Sequence, residues 1–382
     1  SSPAPPLDVD VTRLLLKSLQ SESAIRNIYD NERGAGRVYS VVFNGDGSQV
    51  AIGAQEGASI AGTISLRDTG SGKELTHWRG HLDAVTSLEY LSGGQYLVSG
   101  GWDGRVRLWD STSGAEVHQR DDAQCLVDSV FGYTSPAGKQ LVYALGRLPD
   151  KHNKDNCKTG RSTIRYWEVI DGRFKGDHVE LDLAGDVAAL SLAPERNLLV
   201  IGLASGLVEF YPADLPEQPL GASELQPAMA PSPLEIVSLA VNRFGTQLAI
   251  AYEENQGTTG LVAPVQKNDI ILWDISKLDA VTEEARLRGQ KDLLAMAFSA
   301  DGKRVAAGGK DAQVLVWDIG AAQGIVKPMK TLVGHNDWVR SVAFSPDGEL
   351  LVSGSGSGRS ILWSVGARKN LHRALQGHDD EV

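Results

Sequence analysis

A tryptophan followed by an acidic residue recurs along this chain at an interval that one compact core would not produce. Trp109-Asp110, Trp273-Asp274 and Trp317-Asp318 each end an alternating apolar run, and Trp167-Glu168 and Trp363-Ser364 end similar ones. Arg67-Asp68 and Tyr211-Pro212 stand at the same place with the Trp replaced. Taking Arg67, Trp109, Trp167, Tyr211, Trp273, Trp317 and Trp363 as equivalent gives intervals of 42, 58, 44, 62, 44 and 46 residues, hence seven units. Repeats of about 20–50 residues mark stacked supersecondary units, none of which can bury its apolar face alone.

Within a unit the pattern is short, period-two strands separated by Gly, Asp and Ser, four to a unit. Most units carry a Gly-ended turn before the second strand, as in Asn44–Gly47, Ser299–Gly302 and Ser345–Gly348, with variants at Ser135–Gly138 and Asn242–Gly245. Glycine in such turns supplies a positive φ. Counting from that turn to the Trp position gives 15 residues in the units ending at 109, 211, 317 and 363, but 20, 29 and 28 in those ending at 67, 167 and 273. The first, third and fifth units therefore carry insertions between their second and third strands. Stacking such units in a ring leaves only short, protected edges.

Two units add a Gly-His pair, Gly80-His81 and Gly334-His335, each His 28 residues before its Trp. Gly-His, an Asp-Gly turn and Trp-Asp at this period resemble the WD40-repeat proteins, over roughly residues 36 to 378. The resemblance implies an all-β fold, a seven-bladed β-propeller of four-stranded antiparallel blades. The blade units would end near 68, 110, 168, 212, 274, 318 and 364. In that family the His, a second-strand Ser or Thr, an Asp before the third strand and the Trp form a buried hydrogen-bond chain. His81, Ser99, Asp103 and Trp109 match throughout; His335, Ser353 and Trp363 match with Ser357 for the Asp; Asp311 and Trp317 match with Gln290 for the His and Ala307 for the Ser. A buried imidazole must satisfy both nitrogens, so such a chain has a physical purpose in packing. His, Ser and Asp are also the residues of a nucleophilic triad. Here the set recurs with the blade and is partly lost in several copies, as a redundant structural network would be.

Strands run up and down in turn, so the loop before a first strand and the loop joining strands two and three open on one face, the mouth face. Trp338 falls in the former, Trp102 and all three insertions in the latter. Alignment to Arg340 places Tyr39, Thr86, Ala188, Val237 and Ala295 near the inner mouth. Trp, Tyr and Arg dominate interface energies, so Tyr39, Thr86, Trp102, Trp338 and Arg340 are candidate partner-binding residues. The third-blade insertion adds Arg147, Lys151, Lys154, Lys158 and Arg161 against Asp150 and Asp155. It is either a solvated basic loop or a contact for an acidic partner. The expected function is a non-enzymatic scaffold or sensor for a protein or peptide. A propeller-fold enzyme with a central-funnel site, and phosphate or nucleic-acid binding through the basic insertion, stay open as alternatives.

Composition narrows the setting. With 37 Lys and Arg against 48 Asp and Glu, the formal charge of -11 argues against whole-surface binding to nucleic acid or anionic lipid. No apolar run reaches the ~18–20 residues that span a bilayer, and no signal peptide is visible at the start. Two cysteines, Cys125 and Cys157, suit a reducing, cytoplasmic setting with free thiols. No CxxC or HxxxH spacing supports a metal, no phosphate loop or nucleophile elbow occurs, and no cofactor is expected. The piece reads as monomeric.

Residues 1–35 form an N-terminal extension whose Val11, Leu14, Leu15, Leu16 and Leu19 suit a short helix. The tail 371–376 copies the Met329–His335 pattern and reads as the outer strand of the last blade. A strand at Ala24 to Asp30 would compete for that edge. The chain has no initiator Met and reads as part of something larger. A Leu-rich stretch leading into such repeats resembles the junction in large bacterial multidomain signalling proteins, which implies a sensor or docking role.

Overall fold

The computed structural model describes residues 25–30, 36–57, 61–91, 94–120, 126–147, 162–183, 185–225, 234–253, 269–289 and 292–366. Seven antiparallel sheets follow one another around a ring. Their innermost strands, for blades 1 to 7, are Arg37–Phe43, Val85–Tyr90, Leu126–Thr134, Val187–Ala193, Glu235–Val241, Leu293–Phe298 and Val339–Phe344. The second strands are Gln49–Gln55, Tyr96–Gly101, Gln140–Arg147, Leu198–Leu203, Gln247–Glu253, Arg304–Gly309 and Leu350–Ser355. Each second strand follows a turn whose last residue has positive φ: Gly47, Gly94, Gly138, Asn197, Gly245, Gly302 and Gly348. That is the conformation those Gly-ended turns require. The insertions of blades 3 and 5 leave after Arg147 and Glu253, between second and third strands, and themselves lie outside the described residues.

Seven apolar clusters fill the seven gaps between consecutive blades. The repeat Trp of a blade reaches back into the gap shared with the blade before it. Trp167 lies with Val98 and Leu108 of blade 2, Trp317 with Leu272 of blade 5, and Trp363 with Val316 of blade 6. Trp167, Trp317 and Trp363 are fully buried. Spacing across a gap is set by a second-strand glycine. A Cβ on Gly354 would collide with Val38 Cγ1 and stand 3.0 Å from Val41 Cγ1, and Gly53, Gly100, Gly202 and Gly308 face the next blade in the same way.

The outer edge of blade 7 departs from expectation. Ile25–Asp30 pairs antiparallel with Arg359–Ser364, so the N-terminal segment, and not the tail 371–376, supplies that strand. One edge accepts one strand, and this one carries the register shift beside the Trp position that other outer strands show. Residues 1–24, where the helix was expected, and the tail lie outside the described residues. Blade 5 also gains a strand that its pattern did not announce: Gly324–Val326 pairs parallel to the outer strand Thr282–Leu287.

Because Gly354 and Val38 interlock across the gap where the chain's two ends meet, Gly354→Ala should cost about 1–3 kcal/mol in urea unfolding. Adding Val38→Ala should recover part of that loss, giving a favourable coupling in the double-mutant cycle. Simple additivity would count against the interlock.

Candidate functional site

Every innermost strand contains one residue out of register with its neighbour. The pairing skips Tyr39, Thr86, Asp128, Ala188, Val237, Leu294 and Arg340 in blades 1 to 7. A bulge of this kind re-aims one side chain. The residue before each bulge (Val38, Val85, Val127, Val187, Ile236, Leu293, Val339) is buried in a gap, whereas all seven bulged residues are partly open. One ring of side chains thus lines the inner mouth. The strand pairing corrects one expectation: Leu294, not Ala295, is the counterpart of Arg340, because blade 6 skips residue 294. Asp128 completes the ring. Ten residues separate it from turn Gly138, where eight separate Tyr39, Thr86, Val237, Leu294 and Arg340 from theirs, so alignment by spacing misses it.

On one side of this ring the aromatic and cationic residues stack. Arg340 places its guanidinium 5.1 Å from the Tyr39 ring centre and 5.4 Å from that of Trp338. Tyr39 meets Trp102 edge-on at 5.1 Å, and Lys310 Nζ lies 5.2 Å from the Trp338 ring. The series Lys310, Trp338, Arg340, Tyr39, Trp102 runs across blades 6, 7, 1 and 2. Trp338 is 42% exposed, so the series is open to solvent. Four of its members were expected near one another. Lys310 was not, although it occupies in Gly309-Lys310-Asp311 the place of Trp102 in Gly101-Trp102-Asp103, which is the signal that finds it.

Thr86 plays a different part. Its hydroxyl lies 2.6 Å from the Val127 carbonyl and 3.1 Å from that of Gly100, bridging blades 2 and 3. Arg147 ends the second strand of blade 3. Lys151, Lys154, Lys158, Arg161, Cys125 and Cys157 lie outside the described residues.

The hydrogen-bond chain of blade 2 is complete. His81 Nδ1 lies 2.8 Å from Asp103 Oδ1 and His81 Nε2 lies 2.7 Å from Ser99 Oγ. Trp109 Nε1 donates to the same Oγ at 2.8 Å. Burial holds the His81 imidazole below its ordinary value despite the Asp103 carboxylate. The neutral ring therefore donates through Nδ1 and accepts the Ser99 proton through Nε2. Ser99 is fully buried and its hydroxyl is committed on both sides, so no acyl group can reach it. In blade 7, Ser353 Oγ links His335 Nε2 (2.6 Å) and Trp363 Nε1 (2.7 Å). Ser357, standing where the Asp would be, bonds Ser355 instead, and the buried His335 Nδ1 has no partner among the described residues. In blade 6, with Ala307 for the Ser, Trp317 Nε1 donates to the Arg288 carbonyl at 3.3 Å, and Asp311 accepts the Gln313 N–H.

Glu89, on the innermost strand of blade 2, faces Gly132 of blade 3, where an added Cβ would lie 3.5 Å from Glu89 Cγ. Burial pushes its carboxyl up to about 8. Among the described residues no three His, Cys, Asp or Glu are grouped to hold a metal ion, and no helix is long and apolar enough to cross a membrane.

Two outcomes follow from these environments. His81→Ala should lower stability by about 1–3 kcal/mol by orphaning buried partners, read as a loss in urea unfolding. The second concerns pH. His335, pushed down to about 4 from 6.5 by burial, is neutral when folded, so the unfolded chain binds the extra proton and stability falls as pH drops from about 6.5 to 4. Glu89 acts oppositely: it stays protonated when folded, so stability falls as pH rises from about 4.5 to 8. Glu89→Gln should remove that alkaline loss and leave the acid loss, as measured by unfolding at stepped pH.

The family model described as "WD domain, G-beta repeat" matches residues 72–110, 282–318 and 326–364. Actin-interacting protein 1 of Drosophila melanogaster is 31% identical over 140 residues, 37% of this chain and 21% of that protein. The small ribosomal subunit protein RACK1 of Neurospora crassa is 22% identical over 303 residues, covering 70% of this chain and 88% of that protein. The chain spans well under two thirds of the first curated relatives it matches, 21% and 8% of the leading two. Among solved structures, the Cps50 (Swd1) β-propeller domain of Myceliophteria thermophila aligns at a TM-score of 0.66 and 19% identity, covering 90% of this chain and 99% of that one. The chain is a seven-bladed β-propeller that carries WD40 repeats at three of its blades, one with the complete His–Ser–Asp–Trp hydrogen-bond chain.

Proposed function

We propose that this propeller is a docking module for a protein or peptide partner and that the partner seats on the mouth face. The observation that carries this reading is the solvent-open series Lys310, Trp338, Arg340, Tyr39 and Trp102. Stacked aromatics hold an arginine in place before anything binds, which lowers the ordering cost of association. The residue types are those that concentrate binding energy at interfaces. RACK1 and actin-interacting protein 1, proteins to which stretches of this chain are similar, support a scaffold role by analogy. The proposal extends to an acidic contact through Arg147, Lys151, Lys154 and Lys158, of which all but Arg147 lie outside the described residues. A sensor role in a reducing, cytoplasmic setting fits the two-cysteine composition.

A catalytic reading finds less support. The only His–Ser–Asp set among the described residues is sealed inside blade 2. The mouth offers one Arg, one Asp and hydroxyl or apolar groups, with no paired acid and base.

The test is capture of partners from matched lysate by the intact protein and by Trp102→Ala and Arg340→Ala variants, with Phe244→Ala, an exposed residue on the turn side of blade 5, as control. Loss of an interface anchor should weaken binding by about 2 kcal/mol, roughly 30-fold, while the control binds as the parent does. Equal recovery of the same partner by all four would remove the mouth from the account.

A further inference from the structure

The mouth ring is chemically lopsided. Blades 7 and 1 contribute Arg340 and Tyr39, whereas three consecutive blades, 4 to 6, contribute Ala188, Val237 and Leu294. All three of these are partly open. A segment lying across this ring meets a cation on one side and an aliphatic wall on the other.

The cations are unspent. Arg340 forms no hydrogen bond or ion pair among the described residues; its contacts are the two ring faces, and its Nε is buried without a partner. The Tyr39 hydroxyl is likewise buried and unpartnered. The Lys310 ammonium has the Trp338 ring and, among the described residues, no ion pair. Arg340 and Lys310 thus share one indole, Trp338. Asp337 stands close by: a Cβ added at Gly356 would lie 2.7 Å from its Oδ2 and 3.4 Å from Arg340 Nε. Asp337 beside Arg340, and Asp292 and Asp311 beside Lys310, keep the net local charge low. That suits a singly charged carboxylate better than a doubly charged phosphate, and the guanidinium fork matches a carboxylate in shape.

Resting on the docking role proposed above, we infer that the mouth selects a peptide segment pairing a carboxylate side chain, held by Arg340 and Lys310, with an aliphatic side chain laid over Ala188, Val237 and Leu294. The carboxylate supplies the acceptor that Arg340 lacks, and the aliphatic group covers apolar surface that water now wets. Because Arg340 of blade 7 stands across the ring from Ala188 and Val237 of blades 4 and 5, with Leu294 between them on the blade that also carries Lys310, the separation between the two side chains in the peptide is itself selected.

Fluorescein-labelled peptides carrying one Glu and one Leu separated by one to four Ser residues test this by anisotropy with the intact protein. One separation should bind best, and replacing its Glu by Gln or its Leu by Ser should weaken it at least about tenfold, near 1.4 kcal/mol. Arg340→Gln should abolish the Glu–Gln difference and leave the Leu–Ser difference; Val237→Ser should do the reverse. Equal binding of the Glu and Gln forms, tighter binding of a phosphoserine form, or no binding by any member up to about 1 mM would each overturn the inference. The docking role fails separately, through partner recovery that is indifferent to Trp102→Ala and Arg340→Ala.

Discussion

Closure of the ring is the condition on which everything else rests. Each blade buries its faces only against its neighbours, so opening one gap exposes apolar surface that no other element can cover. The gap between blades 7 and 1 joins residues some 300 positions apart, and three devices hold it. Ile25–Asp30 hydrogen-bonds to Arg359–Ser364, putting the N-terminal strand inside the last blade. Gly354 makes room for Val38. Ser341 Oγ accepts the Val41 N–H at 3.1 Å. This last contact recurs: Ser40 accepts from Leu88 and Ser87 from Val130. The inner edge of a sheet would otherwise present unpaired donors to the channel, and a serine of the preceding blade removes them.

Magnitudes explain why tryptophan persists where its hydrogen-bond partners have drifted. A buried Trp removes roughly 150–250 Å² from water, worth several kcal/mol at about 25 cal/mol/Å². The hydrogen bond of its indole N–H contributes about 1 kcal/mol. Blade 2 keeps the whole chain from His81 to Trp109, blade 7 loses the Asp, and blade 6 sends Trp317 to a backbone carbonyl. In blade 3 the buried indole N–H of Trp167 has no partner among the described residues. At position 67, next to the closing gap, an arginine paired with Glu74 at 3.0 Å stands in for the ring.

The propeller could be read from the sequence because its information is repeated: seven Trp-equivalent positions and their turns corroborate one another, and an error in one copy is corrected by the rest. Features that occur once were harder. The outer strand of blade 7 had two claimants, Ile25–Asp30 and residues 371–376, and the tail was favoured because it copies a neighbouring repeat. Pairing to Arg359–Ser364 is a long-range fact with no local pattern of its own. Gly324–Val326 was hidden for the same reason, since its partner lies in the previous blade. At the mouth, Tyr39, Trp102, Trp338 and Arg340 could be placed by alignment, but a bulge shifts period two by one residue. In blade 6 the residue eight positions before turn Gly302 is Leu294, as Tyr39, Thr86, Val237 and Arg340 are eight before theirs, so reading Ala295 there was a one-residue slip that the strand pairing corrects.

The bulges also explain how one scaffold can carry varied chemistry. A residue skipped by the ladder has no cross-strand partner to match and no gap to fill, so its identity is freer than its neighbour's, although Thr86 uses its hydroxyl to bridge blades 2 and 3. Its neighbour on the N-terminal side is held to Val, Ile or Leu in all seven blades, while the bulged position holds Tyr, Thr, Asp, Ala, Val, Leu and Arg. Stability and recognition are thus assigned to adjacent residues of one strand. The stacking of Arg340 between Tyr39 and Trp338 adds order without using the guanidinium edge, because the rings take its face. An arginine immobilised by face contacts keeps its terminal donors for a partner, whereas one paired to a carboxylate has already committed part of its fork.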